Sequence, residues 1–201
     1  METKKSISPG QVAVSVAIFG VLLVVAFVEA QTRQNVLFHQ VLNTVRVTMV
    51  LFGVAMCLYV LPGDSQQKFS YWLLFWSLSI LSYLVHVYFS FVLYFHGSFG
   101  EFYTAQGAFV ATTNLFITAW WLFDFILAWF GDSSLTWIRV QRTGIHLLIL
   151  FTFFLSTVIF HAVDNKETFV VVLGVLQALS VLIAFIIRLR AKKVTVSAAS
   201  T

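Results

Sequence analysis

Four side chains in this sequence are of kinds that hydrocarbon resists, and each lies inside a run of apolar residues: Arg46, His86, Asp124 and His146. A charge at mid-bilayer costs at least about 2.5–3.5 kcal/mol on insertion scales, so such residues face a bundle interior or a watery cavity. Other polar residues recur beside them at helical spacing. His86 stands in a stripe with Ser79, Tyr83 and Ser90, spaced 4, 3 and 4. Arg46 shares a face with His39, Asn43, Gly53 and Cys57, and Asp124 with Gln106, Thr113 and Trp120. His146 heads a looser set with Thr157 and His161, and Gly174, Gln177 and Ser180 mark a last stripe. Each stripe points away from lipid, towards the other helices. Small residues such as Ser, Thr and Gly there serve close packing and interhelical hydrogen bonds. The ionisable ones point to a proton or ligand path, or to structural pairs that hold the register of the bundle. The candidate pocket is therefore Arg46, His86, Asp124, His146, Tyr83, Asn43, Thr113 and Trp120.

A rise of about 1.5 Å per residue sets their depths. Arg46 and His86 come out roughly 4–5 Å to the outer side of the midplane, Asp124 about 8 Å to the inner side and His146 about 10 Å. Two layers follow, Arg46 with His86 and Asp124 with His146. Arg46 is also long enough to reach down towards Asp124.

Other chemistries find less support. His39, His96 and His161 gather at the outer helix ends with Glu29, Glu101 and Asp164 and are weak metal candidates, but their spacing matches no ligand motif. A bis-histidine haem needs two histidines at like depth on different helices, and His86 has no such partner. No span carries a lysine for a Schiff base. Gly-rich phosphate loops, HExxH and GxSxG are absent, so no catalytic set emerges. Cys57 is the sole cysteine and reads as a small buried hydrophobe. Trp120 and Trp121 fall near mid-membrane and would suit a flat apolar ligand such as a quinone, a pigment or a lipid tail. No cofactor is specified. The segment from His96 to Gly100 reads as a flexible turn.

The elements that must position these groups are membrane helices. The chain has 201 residues, 60% hydrophobic and 10% charged, whereas a soluble domain carries about 25% charge. Apolar runs predict six spans at about 11–29, 36–61, 71–95, 107–130, 143–160 and 168–187, with a disordered tail over 194–201. From Val47 to Leu61 is too short for the roughly 20 residues a span needs, so the second helix must begin near Val36 and carry Arg46 inside it. The first run resembles a signal peptide but exceeds the ~7–15 residues of a signal core, so it is read as a retained helix. The expected fold is an all-α, six-helix membrane bundle with short loops. Lys4, Lys5, Lys68, Arg139, Arg142, Arg188, Arg190, Lys192 and Lys193 all fall on one side, which predicts that both termini are cytoplasmic. The setting is a multi-pass protein of a bacterial inner membrane. The basic residues form no aromatic-interleaved patch, so no nucleic acid is expected.

Three functions remain in order. The first is a transport-type protein, with a polar, histidine-bearing pocket opening to the outer side for a small solute, ion or proton. The second is an accessory or anchor subunit that meets other membrane subunits or its own copies. The third is a membrane redox protein or enzyme binding a quinone, pigment or metal. No internal repeat of the inverted-transporter kind is present.

Overall fold

A computed structural model of the chain describes residues 7–63, 65–155 and 168–199. Seven helices are present and no strand occurs among the described residues: α1 (Pro9–Gln31), α2 (Val36–Val60), α3 (Gln66–Val87), α4 (Phe99–Gln106), α5 (Ala108–Phe130), α6 (Thr136–Phe154) and α7 (Thr168–Ala199). The end of α3 runs on as a seven-residue π-helix, Tyr88–Tyr94. Among the described residues, five stretches are long and apolar enough to cross a membrane: Pro9–Gln31, Val36–Val60, Gln66–Tyr94, Ala108–Phe130 and Val171–Ala191. The protein is thus an all-helical, multi-pass membrane protein. Helix α6 is not among the five; its first half carries Arg139, Gln141 and Arg142.

Local sequence sets the helix starts. Ser8 caps α1 in a reciprocal box: its Oγ accepts the Gln11 N–H at 3.2 Å, and Gln11 Oε1 accepts the Ser8 N–H at 2.9 Å. Pro9 follows at the first helical position, where its missing N–H costs nothing. Asn35, Ser65 and Ser98 cap α2, α3 and α4 in the same manner, each accepting a backbone N–H three residues on. Gly107 joins α4 to α5 with φ of 78°, a left-handed conformation that costs a glycine nothing.

The centre of the bundle is the α2–α3 pair. Met49, Leu51, Phe52 and Ala55 of α2 meet Leu73, Trp76 and Ile80 of α3, all buried. Helix α1 lies against both, α5 against α3 and α6, and α7 against α2 and α6. The outward faces are apolar. Val21, Val24, Val25 and Val28 of α1 and Phe116, Phe123 and Ile126 of α5 stand exposed, as lipid-facing side chains do.

Three segments differ from the sequence reading. The polar stretch after the third span turns at His96 and Gly97, then folds into α4. A serine cap and an N–H···O ladder satisfy its backbone. Helix α6 begins at Thr136, so Arg139 and Arg142 lie in a helix and not in a loop. Helix α7 continues to Ala199, through most of the segment expected as a disordered tail.

Gly53 seats α7 on α2, since a Cβ there would lie 3.4 Å from Cγ of Gln177. A leucine would force the two helices apart. Gly53→Leu is expected to destabilise the folded protein by about 1–3 kcal/mol, measured by denaturant unfolding in detergent, while Gly20→Leu, facing open space, should leave the midpoint nearly unchanged.

Candidate functional site

The polar residues gather in two places at opposite ends of the bundle. The first surrounds a cavity of about 530 Å³ among α2, α3 with its π-helical extension, α4, α5 and α6. It lies at the end formed by the α1–α2 loop and α4. Its walls are mostly Leu, Val and Phe, broken by a few polar side chains that include Arg46, Tyr83, His86, Gln106, Thr113 and Asn114.

Most of these polar groups are held by a neighbour. His86 Nδ1 lies 2.9 Å from the Val41 carbonyl. A carbonyl only accepts, so Nδ1 carries the proton of the neutral ring and Nε2 holds the lone pair. The Thr118 hydroxyl donates to the Asn114 carbonyl at 2.7 Å, and the Tyr83 hydroxyl meets Thr118 Oγ1 at 3.1 Å. Asn114 Nδ2 donates to Gln106 Oε1 at 2.8 Å, tying α5 to α4. Arg46 Nη1 donates to Asn43 Oδ1 at 2.7 Å. Asn43 in turn donates to the Ala26 carbonyl and to Glu29, and Glu29 pairs with Arg33. A four-residue relay across α1 and α2 thus orients the Arg46 guanidinium. Asn43 is part of this support and is not on the cavity wall.

The second place is a closed cluster at the end formed by the α2–α3 and α5–α6 loops. Asp124 and His146 have no exposed surface and Arg142 has 3%. Asp124 Oδ1 accepts from Arg142 Nε at 3.2 Å and from Gln141 Nε2 at 2.5 Å. Arg142 Nη1 donates to Ser133 Oγ at 3.3 Å, and its guanidinium carbon sits 4.9 Å over the Trp72 ring. His146 Nδ1 donates to the Arg142 carbonyl at 2.7 Å, one turn back on the same helix. Trp76 turns its indole N–H towards the Asp124 carboxylate but falls short of a full hydrogen bond. Trp120 Nε1 donates to Gln141 Oε1 at 3.0 Å and closes the cluster from α5. Trp120 also packs on Gly144, where a Cβ would come within 3.2 Å of the indole.

A column of rings joins the two places. Tyr59 stacks on His146 at 4.5 Å and His146 on Trp76 at 4.1 Å. Trp76 meets Trp121 at 5.2 Å, Trp121 meets Tyr83 at 5.3 Å, and Tyr83 meets His86 at 6.0 Å. The sequence-derived set is therefore split. Arg46, Tyr83, His86 and Thr113 line the cavity; Asp124, His146 and Trp120 belong to the closed cluster; Asn43 backs Arg46. Asp124 is held by Arg142 and Gln141, not by Arg46, and it makes no direct bond to His146. Neither Trp120 nor Trp121 lines the cavity. His96 forms an exposed pair with Glu101 at 3.1 Å. His39 lies near Phe38, and His161 falls outside the described residues. Among the described residues, no three His, Cys, Asp or Glu side chains come together as a metal-binding group.

Sequence reasoning missed Arg142, Gln141, Trp72 and Trp76. A signal was available: Arg142 and His146 are four residues apart, the spacing of one helix face. It is hidden once Arg142 is assigned to a loop. Compared with known proteins, the chain matches no family model, no curated protein and no solved structure.

Removing one member of a buried ion pair strands the other, at about 3–5 kcal/mol. Asp124→Ala and Arg142→Ala should each cost that much in unfolding experiments in detergent. Their double variant should fall short of additivity by about 1–3 kcal/mol, while Asp124→Ala with Arg46→Ala should be additive. Additivity in the first pair and coupling in the second would reverse the assignment of partners.

Proposed function

We propose that this chain is a transport-type membrane protein that takes a small amphipathic solute into the cavity between α2, α3, α5 and α6. The observation that carries this reading is the cavity itself. A volume of about 530 Å³ lies within the 300–1,000 Å³ typical of small-molecule sites, which are mainly apolar with a few placed polar groups. An inorganic ion would need a denser shell of oxygen or nitrogen ligands than these walls offer. The solute has an apolar body and a head that accepts hydrogen bonds from Arg46 and either gives to or takes from His86 and Tyr83. A quinone or a medium-chain acid has that form.

In the same proposal the chain crosses the membrane six times. Helix α6 belongs to the fifth crossing, and both termini lie in the cytoplasm of a bacterial cell. The cavity then opens to the outer side. The distribution of Lys and Arg supports this orientation. The ring column from Tyr59 to His86 favours a second reading, a redox subunit that exchanges electrons with a quinone in the cavity. A chromophore in the visible spectrum of the purified protein would bring that reading forward.

The test of the cavity is native mass spectrometry of the full chain released from detergent, with decylubiquinone and laurate offered as probes. One bound probe is expected. Val110→Trp, which fills the cavity wall, should abolish it, and Arg46→Gln should weaken it about tenfold, the worth of a hydrogen bond to a charged donor. Binding that survives Val110→Trp unchanged would place the solute elsewhere.

The test of orientation uses a Cys57→Ala background and a membrane-impermeant maleimide on whole cells. Ser98→Cys is expected to label from outside. Ser65→Cys and Ser134→Cys should label only after the membrane is opened. Outside labelling at Ser65→Cys contradicts the proposed topology.

A further inference from the structure

The closed cluster around Asp124 has more polar atoms than partners. Asp124 Oδ2, Arg142 Nη2, His146 Nε2 and the indole nitrogens of Trp72, Trp76 and Trp121 are all buried, and none makes a full hydrogen bond, although the Trp76 indole turns towards the Asp124 carboxylate. The residues that carry these six atoms form one contact group. His146 stacks on Trp76, Trp76 lies against Trp121 and Trp72, Arg142 covers Trp72, and Arg142 binds Asp124. One buried polar atom left unsatisfied costs about 1–3 kcal/mol. Six together are more than random imperfection accounts for, since native proteins satisfy the great majority of such groups.

The chemistry of the six atoms selects the occupant. Four are donors: the three indole N–H groups and Arg142 Nη2. Two are acceptors: Asp124 Oδ2 and His146 Nε2, whose lone pair is free because Nδ1 donates to the Arg142 carbonyl. A bare anion satisfies the donors but gives nothing to the two acceptors. A metal cation would meet a guanidinium and three N–H groups. Water both accepts and donates, and since one molecule serves two to four polar partners, the six atoms call for more than one.

We propose that Asp124, Arg142, His146 and the three indoles form an enclosed water-binding site that serves for proton exchange. Between them the waters accept from the indole and guanidinium N–H groups and donate to Asp124 and His146. A proton carried on Asp124 Oδ2 passes to a water, which hands one of its own to the His146 Nε2 lone pair, so the water is regenerated, Asp124 is left ionised, His146 becomes an imidazolium, and atoms and charge balance. The charged and titratable groups facing this site are Arg142 on α6 and Tyr59 on α2, whose hydroxyl meets Thr143 Oγ1 at 3.0 Å; α3 contributes only tryptophans. Tyr83 touches Trp121 from the cavity side, which puts the site one ring from the cavity wall. The inference stands whether or not the cavity takes the solute proposed above.

The experiment is nuclear magnetic resonance on the full chain, labelled with ¹⁵N-tryptophan and held in detergent micelles. Cross-peaks between water and the indole protons of Trp72, Trp76 and Trp121 are expected. In D₂O these indole protons should exchange well ahead of the backbone N–H groups of Trp72 and Trp76 on α3. Asp124→Asn and His146→Phe each remove a proton acceptor while keeping the shape of the side chain. Each should slow the exchange of the three indoles by at least about tenfold. His146→Gln, which restores an acceptor, should recover part of the rate. Indoles with no water cross-peak in the wild-type chain, or exchange as slow as those backbone groups, would overturn the proposal. Indole exchange that is fast in the wild type and unchanged in all three variants would leave bound water but remove the proton role. Should Asp124→Asn fail to fold, the wild-type cross-peaks and the His146 variants still decide the matter.

Discussion

An ionised carboxylate with no exposed surface inside an apolar bundle is the constraint on which much of the rest turns. Burying an ion of that size costs several kcal/mol even after relaxation. Asp124 is tolerable only because Arg142 and Gln141, neighbours on one turn of α6, both reach Oδ1. That requirement sets the register of α5 against α6. It also extends α6 back to Thr136, so that Arg142 reaches the carboxylate from a helix and not from a loop. The Trp72 ring under the guanidinium and the Ser133 hydroxyl beyond it complete the surround. Tyr59, Trp76 and Trp121 then pack outward from His146 as a stack of rings.

At the other end of the bundle the arrangement is different in kind. Arg46 lies within the field of the Glu29 carboxylate. It is oriented through Asn43, which shares Glu29 with Arg33. His86 is aimed in a similar way by a backbone carbonyl. The π-helical turn beginning at Tyr88 places Ser90 and Phe91 on the cavity wall. Such turns break the regular hydrogen-bond ladder and are often found at functional sites. One end of the molecule is therefore closed and charge-balanced, and the other is open and apolar with a few directed polar groups. The ring column is the physical link between them.

Much of the fold is legible in the sequence because a bilayer permits few solutions. Long apolar runs must be helices, since every backbone group has to be satisfied within its own segment. Ser8, Asn35 and Ser65 announce helix starts through their side-chain oxygens, and Pro62 follows the end of α2. That Arg46, His86, Asp124 and His146 turn inward also follows from composition alone, from the cost of exposing them to lipid. The depth argument rightly parts Asp124 from His86, because rise per residue is a property of the helix and not of its neighbours.

What tertiary structure alone decided is which inward-facing groups meet. Depth gives position along the membrane normal but says nothing of helix order or rotation, so Arg46 looked able to reach down to Asp124 and Asn43 looked like part of the pocket. Packing of α5 on α6 brings Arg142 and Gln141 to Asp124, and packing of α1 on α2 brings Glu29 to Asn43. Trp120 and Trp121 looked suited to a ligand wall; burial of Trp121 between helices and the bond from Trp120 to Gln141 make them part of the closed cluster. The polar stretch after the third span became a helix because its serine cap and its packing on α5 outweigh the flexibility of its glycines. By itself the sequence determined a membrane helical bundle with charged groups turned inward. Only the packing of helix on helix divided those groups into an open cavity and a sealed ion pair, because contacts between distant segments are not encoded in the period of any one of them.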